Sequence, residues 1–454
     1  MTGRDGARGG EVRGTSPPPV VRGASAADGA PTPPARPRLV RDRLTLGLYA
    51  PFVVWGWLLY SFNPSVPLLA SELGITGAQA GLHGTAMAVG GLAAAPLTPR
   101  VVRRAGRRGT LVGGSLLVAL GVVGLLLGPT LPWTLTGMFV TALGGNVMIA
   151  STVVGIAQHT GPAASAAITE ANGAGSTVGL VGPLVVGACV AAGWGWRPGV
   201  AVTIALGIAA AVLLARLPAS PALPRGLRSG AASGAASGQG ATATPAVAPA
   251  VGGGTTAGSA ATSGPGRVRF AVPLFLTSIV AATALENATT YWATDLVLSR
   301  TDAGAGIATA TAAGLIAGMS AVRFVVGPLS LRVHPAHLLA ASFGVAVLGW
   351  AILWTATDAR VALAGLVVAG IGYGVQYPLS VALLLAASPG QADRTQSRAT
   401  LAGALAIGVA PFLLGALADA FGTHRAFLLV PVVAVVGMVV ATLGGRVVRR
   451  PAVL

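Results

Sequence analysis

Uncharged apolar runs long enough to cross a bilayer recur along the whole chain, separated by short polar or arginine-bearing breaks. A backbone in hydrocarbon must satisfy its own hydrogen bonds, so runs of about 20 apolar residues fold there as helices. Composition closes the soluble alternative: 53% of residues are hydrophobic, mean hydropathy is +0.75 and only 9% are charged. A soluble domain carries about 25% charged residues. The sequence predicts an all-α polytopic membrane protein.

Twelve spans are expected, near 45–69, 77–98, 109–129, 132–157, 168–191, 198–216, 270–297, 303–328, 336–355, 361–387, 397–419 and 425–445. Gly and Pro inside them suit membrane helices, where they permit close approach or kinks. Residues 1–44, rich in Pro, Gly, Ala and Arg, read as a disordered tail. They are too long and polar for the n-region of a cleaved signal peptide, so the first span is a retained anchor. The Ser/Gly/Ala/Thr/Pro-rich stretch 217–269 reads as a disordered linker between two six-helix halves, 45–216 and 270–445. Residues 446–454 form a short C-terminal tail.

The net charge of +17 comes from 29 arginines and no lysine. Twelve crossings put both termini on one side, together with 25 of the 29 arginines; Arg197, Arg300, Arg360 and Arg425 lie on the other. PRVVRRAGRRG at 99–109 is the densest short-loop signal. By the positive-inside rule that side is cytoplasmic, which places the chain in the cell inner membrane with both termini in the cytoplasm. The arginines are spread over a tail and alternate loops instead of one face, so no nucleic-acid partner is expected. Cys189 stands alone, so neither an intramolecular disulfide nor a cysteine metal site is expected.

The two halves share a register of 228 residues. It places Pro183 over Pro411, Gly187 over Gly415, Arg104 over Arg332 and Arg197 over Arg425. Gly144–Gly145 fall on Gly372–Tyr373. A duplicated six-helix unit is the usual basis for alternating access around a midplane site.

With these features the sequence resembles the major facilitator superfamily over about residues 45–445. GPLVVG at 182–187, with Gly182, Pro183 and Gly187, is similar to its antiporter-associated Gly-Pro motif, with Val186 where a second Gly usually stands. In the loop after the second span, Arg104, Gly106, Arg107 and Arg108 fit the family pattern, while Pro99 and Arg103 replace its leading Gly and its Asp. The second half keeps Gly327 and Arg332 of that pattern. The resemblance implies twelve helices in two repeated halves and a transport activity; the Gly-Pro motif leans towards antiport.

Candidate site residues follow from polarity in apolar surroundings. Glu286 lies just beyond the middle of the seventh span, and an ionised carboxylate in hydrocarbon costs several kcal/mol. Thr283, Glu286, Asn287, Thr290 and Thr294 approximate one helical face, as expected of a helix lining a water-accessible path. Glu286 is therefore read as a proton carrier or a group binding a cationic or hydroxylated solute, against a structural carboxylic acid bonded to neighbouring helices. Glu170, at the expected start of the fifth span, suits coupling, a cap or a gating contact, and His83 could be protonated at moderate pH. Trp57, Tyr60 and Asn63 of the first span, Asn146, Asn172, Gln376 and Tyr377 are further cavity candidates. Asn63-Pro64 and Pro67 are expected to bend the outer half of the first span. Arg323, near the arginine-rich end of the eighth span, is expected to snorkel outward, and Asp295 to be solvated at the opposite edge. The Gly and Pro residues at 182–187 and 410–415 serve helix packing and gating.

No Walker motif, catalytic triad, paired catalytic carboxylates or metal-ligand cluster stands out. The reading is a secondary transporter of a small organic solute, proton-coupled, without a cofactor and functional as a monomer. Efflux by proton antiport is the narrower alternative, and a non-transporting membrane sensor or structural protein is a different class.

Overall fold

The computed structural model describes residues 39–218, 220–223, 265–330, 332–388 and 392–449. Residues 1–38 of the expected tail 1–44 and most of the expected linker lie outside the described residues; the rest of the tail is described, with α1 starting at Arg43 and Leu44 buried. What is described of 217–223 is docked: Leu217, Ala222 and Leu223 are buried in the apolar core.

Helices α1 (Arg43–Gly47), α2 (Ala50–Phe62) and α3 (Val66–Leu73) make the first crossing, joined before α3 by a 3-10 turn at Asn63–Ser65. The expected bend is that turn, set where Pro64 withholds its N–H from the helical ladder. The second and third crossings share α4 (Gly77–Leu127). At 1.5 Å per residue its 51 residues span roughly 75 Å, more than twice the hydrocarbon thickness, so it crosses twice. The reversal occurs at Gly106, whose φ of 71° only glycine adopts readily. The arginine-bearing stretch 99–109, expected as a loop, is thus helical on both sides of a one-residue break.

The remaining helices are α5 (Leu131–Thr160), α6 (Ala164–Ala191), α7 (Arg197–Arg216), α8 (Pro265–Arg300), α9 (Ala305–Ser330), α10 (Pro335–Thr355), α11 (Ala359–Ala386), α12 (Ala392–Phe421), α13 (Thr423–Ala426) and α14 (Leu429–Arg449). Eleven segments are long and apolar enough to cross a membrane, and α4 counts twice. The twelve expected crossings are present.

Each half closes on itself, chiefly through α4 against α5 and α10 against α11. The halves meet along two helix pairs, α4 with α12 and α6 with α9. Small residues make this possible: a Cβ on Gly415 would sit 2.3 Å from the carbonyl oxygen of Gly77, and one on Gly187 would sit 2.4 Å from that of Gly306. Both close approaches lie at the face opposite the arginines. Asp419 adds a polar tie there, its two carboxylate oxygens accepting from the backbone N–H groups of Gly77 (2.6 Å) and Ala78 (2.7 Å). Towards the arginine-rich face, α5 makes no extensive contact with α11 or α12 among the described residues. The close approaches between the halves are thus concentrated at the face opposite the arginines.

Candidate functional site

Glu286 sits at the middle of the crossing formed by α8, and it is half-buried, not sealed. Its surroundings come from both halves. Arg323 of α9 attracts the Glu286 carboxylate, and Tyr60 of α2 and Tyr373 of α11 lie within electrostatic reach of it. The guanidinium of Arg323 donates from Nη1 to Ser176 Oγ on α6 (3.2 Å) and more weakly from Nε to the Gly374 carbonyl on α11 (3.4 Å). Tyr60 also hydrogen bonds with Ser176, and the Thr289 and Tyr373 hydroxyls are 3.0 Å apart. One glutamate, one arginine, two tyrosines and two hydroxyl side chains thus form a connected mid-depth cluster.

Arg323 does not snorkel as expected. A long side chain can reach either the interface or the interior, and here Ser176 and Gly374 supply acceptors inside. The two charges attract across a gap. The described ion pairs within 4.0 Å are Arg41–Glu170, His159–Asp42 and Arg197–Glu72, and Glu286 with Arg323 is not among them.

Several expected residues join this cavity. Asn63 donates to Thr290 Oγ1 at 3.5 Å, linking the turn of the first crossing to α8 of the other half. Asn287 lies on the same helix, its amide folded back onto the Thr283 carbonyl (2.9 Å). Tyr377 and Thr283 border Gly403 of α12, where an added Cβ would meet nothing nearer than 3.8 Å. Asn172 is half-buried one turn before Ser176, with its amide bonded to the Ile168 carbonyl (3.0 Å).

Others are turned elsewhere. Trp57 donates from its indole to the Gly199 carbonyl of α7 (3.0 Å), which makes it a packing residue within the first half. Gln376 is fully buried against α10, its amide donating to the Ser342 carbonyl (3.3 Å). Asn146 bonds to Ala142 on its own helix and lies over Gly91. His83 is fully buried, its Nδ1 2.8 Å from the Ala80 carbonyl and its Nε2 3.0 Å from Thr134 Oγ1. A neutral ring satisfies both contacts, donating to Ala80 and accepting from Thr134. Glu170 is neither a cap nor a cavity group: α6 begins at Ala164, and Glu170 pairs with Arg41 ahead of α1 (2.7 Å). That hydrogen bond and charge hold the Arg41 guanidinium above its ordinary pKa.

The motif residues make local packing and hydrogen-bond contacts. Beyond the Gly106 break, Arg107 donates to Gln158 and to the Ala222 carbonyl (3.1 Å), and Arg108 to the carbonyls of Ala215 (3.2 Å) and Pro218 (2.6 Å). Arg104 is exposed. Gly182 lies against Ser61 of α2, Pro183 is buried beside it, and the Pro411 carbonyl accepts from the Trp292 indole (2.9 Å). Asp295 is not simply solvated: Thr423 donates to its carboxylate.

Four cluster members escaped the sequence reading: Ser176, Thr289, Arg323 in its true role, and Tyr373. The available signal was Arg323 itself, the sole charge in the 26-residue run of α9.

Two six-helix repeats meeting at a charged, partly buried cluster at mid-depth have the architecture of a membrane transporter. The chain belongs to the Major Facilitator Superfamily, whose profile it matches over residues 52–285 and 274–453. No curated protein sequence matches it. A bacterial homolog of the human lysosomal transporter Spinster, inward-facing and unoccupied, is similar in structure at 15% identity, over 90% of this chain and 98% of that one, with a TM-score of 0.67. A D-xylose–proton symporter reaches 0.67 at 13% identity over 88% and 96%. The E. coli fucose:proton symporter reaches 0.51 at 17% identity over 88% and 98%. At these identities the likeness is one of fold. The protein is a multi-pass membrane transporter and not an enzyme.

Proposed function

We propose that this chain is a proton-coupled secondary transporter of a small organic solute, working by alternating access with Glu286 as the proton-carrying group. The observation that carries this reading is the half-buried carboxylate at mid-depth, set against Arg323 in a cavity walled by both halves. Besides Arg323, the titratable groups facing it are the phenols of Tyr60 and Tyr373. Protonation removes the counter-charge of Arg323, and deprotonation restores it. The Arg323–Ser176 and Asn63–Thr290 bonds cross between halves, so a rocking motion must break them. Protonation state and conformation are thereby linked through the same side chains.

The arginine-rich face is read as cytoplasmic, in the cell inner membrane, by the positive-inside rule. The cavity then opens to the cytoplasm, as a proton-driven exporter needs when it loads its solute. Importers and exporters both visit such a state; the Gly-Pro motif at 182–187 is what leans towards efflux by antiport within the broader reading. Both halves of the site come from one chain, which suits a functional monomer, with protons and no cofactor.

The test begins with an untargeted uptake and efflux screen in cells expressing the protein. The solute found is then measured in reconstituted vesicles with and without an imposed pH gradient. Wild-type flux should follow the gradient, and Glu286→Gln should lose that dependence. Unchanged flux and unchanged proton dependence in Glu286→Gln would overturn the assignment.

A further inference from the structure

We propose that the solute taken by this cavity is a small zwitterion, its cationic group held at Glu286 and its anionic group at Arg323. The inference rests on the transporter reading above and narrows its substrate.

Glu286 and Arg323 attract one another without meeting, and both are only partly buried at mid-depth. Opposite charges this deep usually collapse into a hydrogen-bonded pair, because each lowers the other's desolvation cost. Here Arg323 is held back through Nε and Nη1 by Gly374 and Ser176, leaving guanidinium N–H groups uncommitted. The two groups therefore present one negative and one positive pole to the same space. Their net charge is zero. A net-neutral ligand with separated charges gains a charge-assisted hydrogen bond at each pole and leaves neither group uncompensated. An amine would satisfy Glu286 and leave Arg323 without an anion. A carboxylic acid would do the reverse. An uncharged polyol would hydrogen bond to both groups but bring no opposite charge to either.

The walls agree with such a ligand. Tyr60 and Tyr377, both partly exposed, offer ring surface for a short carbon skeleton. Asn63 Oδ1 and Thr283 Oγ1 are buried acceptors without a protein partner, in side chains only 5% and 6% exposed. Gly403, beside Thr283 and Tyr377, would admit a methyl group at ordinary van der Waals distance. A ligand ammonium carries three donors, and Glu286 engages only part of them.

The proposal is tested on the full chain in lipid nanodiscs, with thermal stabilisation as the readout. The probes are straight-chain ω-amino acids from glycine to 6-aminohexanoate, each beside the alkylamine and the alkanoate of matched length. One zwitterion length should bind at least about tenfold tighter than its two singly charged counterparts, the equivalent of one lost charged hydrogen bond. Glu286→Gln should shift preference towards the alkanoate and Arg323→Gln towards the alkylamine. Wild-type protein that binds no zwitterion, or binds an amine, acid or polyol of matched size as well, overturns the inference without recourse to the variants. The two proposals fail separately. Proton-driven flux of a singly charged or uncharged solute removes the zwitterion and keeps the coupling. Zwitterion binding with flux indifferent to the pH gradient keeps the zwitterion and removes the coupling.

Discussion

Trp57 and Tyr60 stand three residues apart in α2 and serve different ends. The indole of Trp57 is committed to the Gly199 carbonyl, whereas the phenol of Tyr60 sits among Ser176, Arg323 and Glu286. Trp57→Phe should therefore cost about 1 kcal/mol of stability through the lost hydrogen bond and leave solute affinity unchanged. Tyr60→Phe should leave thermal stability nearly intact and weaken solute binding several-fold. Melting curves and binding titrations on the two variants separate these outcomes, and the opposite pattern would reverse the assignment of the two side chains. The sequence could not make this distinction. Trp57, Tyr60, Gln376 and Tyr377 are all amphipathic side chains near mid-span, and pattern alone gives their depth. Which neighbour each one faces depends on helix rotation about its own axis, and that rotation is set by partners distant in the chain.

At the scale of elements, the contact between α4 and α12 holds the face opposite the arginines shut. Asp419 closes the N-terminus of α4, where unpaired N–H groups and the helix dipole favour an anion. Gly415 lets the backbones touch. Asp419→Asn keeps an acceptor and removes the charge, which should weaken the closed arrangement by about 1–2 kcal/mol. Gly415→Ala places a methyl group against the Gly77 carbonyl and should cost about 1–3 kcal/mol in the same arrangement. Spin labels at exposed Ser71 and Phe421, on a Cys189→Ala background, report the separation of the two halves at that face. Both substitutions should raise the long-distance population by about tenfold or more, and unchanged distance distributions would show that this contact does not hold the gate. The Gly-Pro segments at 182–187 and 410–415 were legible as packing sites because small residues in a membrane helix have little other use. Asp419 was not, since its partner is a backbone more than 300 residues away.

For the whole molecule, the duplicated halves provide a cavity whose access depends on how they tilt. With the halves packed together at the opposite face, the route to the centre is expected to run from the arginine-rich face. A cysteine at Asn287, a partly exposed residue of α8 beside Glu286, on a Cys189→Ala background, should react with a membrane-impermeant thiol reagent added from that face and not from the other. Adding Asp419→Asn should allow labelling from the opposite face as well. Labelling from both faces without that change would contradict the closed contact between α4 and α12. Both expectations concern one cavity seen from two sides, and they do not depend on which solute it carries.

The sequence by itself determined the medium, the number of crossings, the repeat and the depth of Glu286. These are one-dimensional properties: hydropathy fixes which segments leave water, and a rise of 1.5 Å per residue converts position into depth. Tertiary structure decided that Arg323 turns inward to face Glu286, that His83, Trp57 and Gln376 turn away, and that Asp419 caps a helix of the other half. Those outcomes depend on helix rotation and on which helices touch. In hydrocarbon both are set by close packing and by the search of each buried polar group for a partner, wherever in the chain that partner lies.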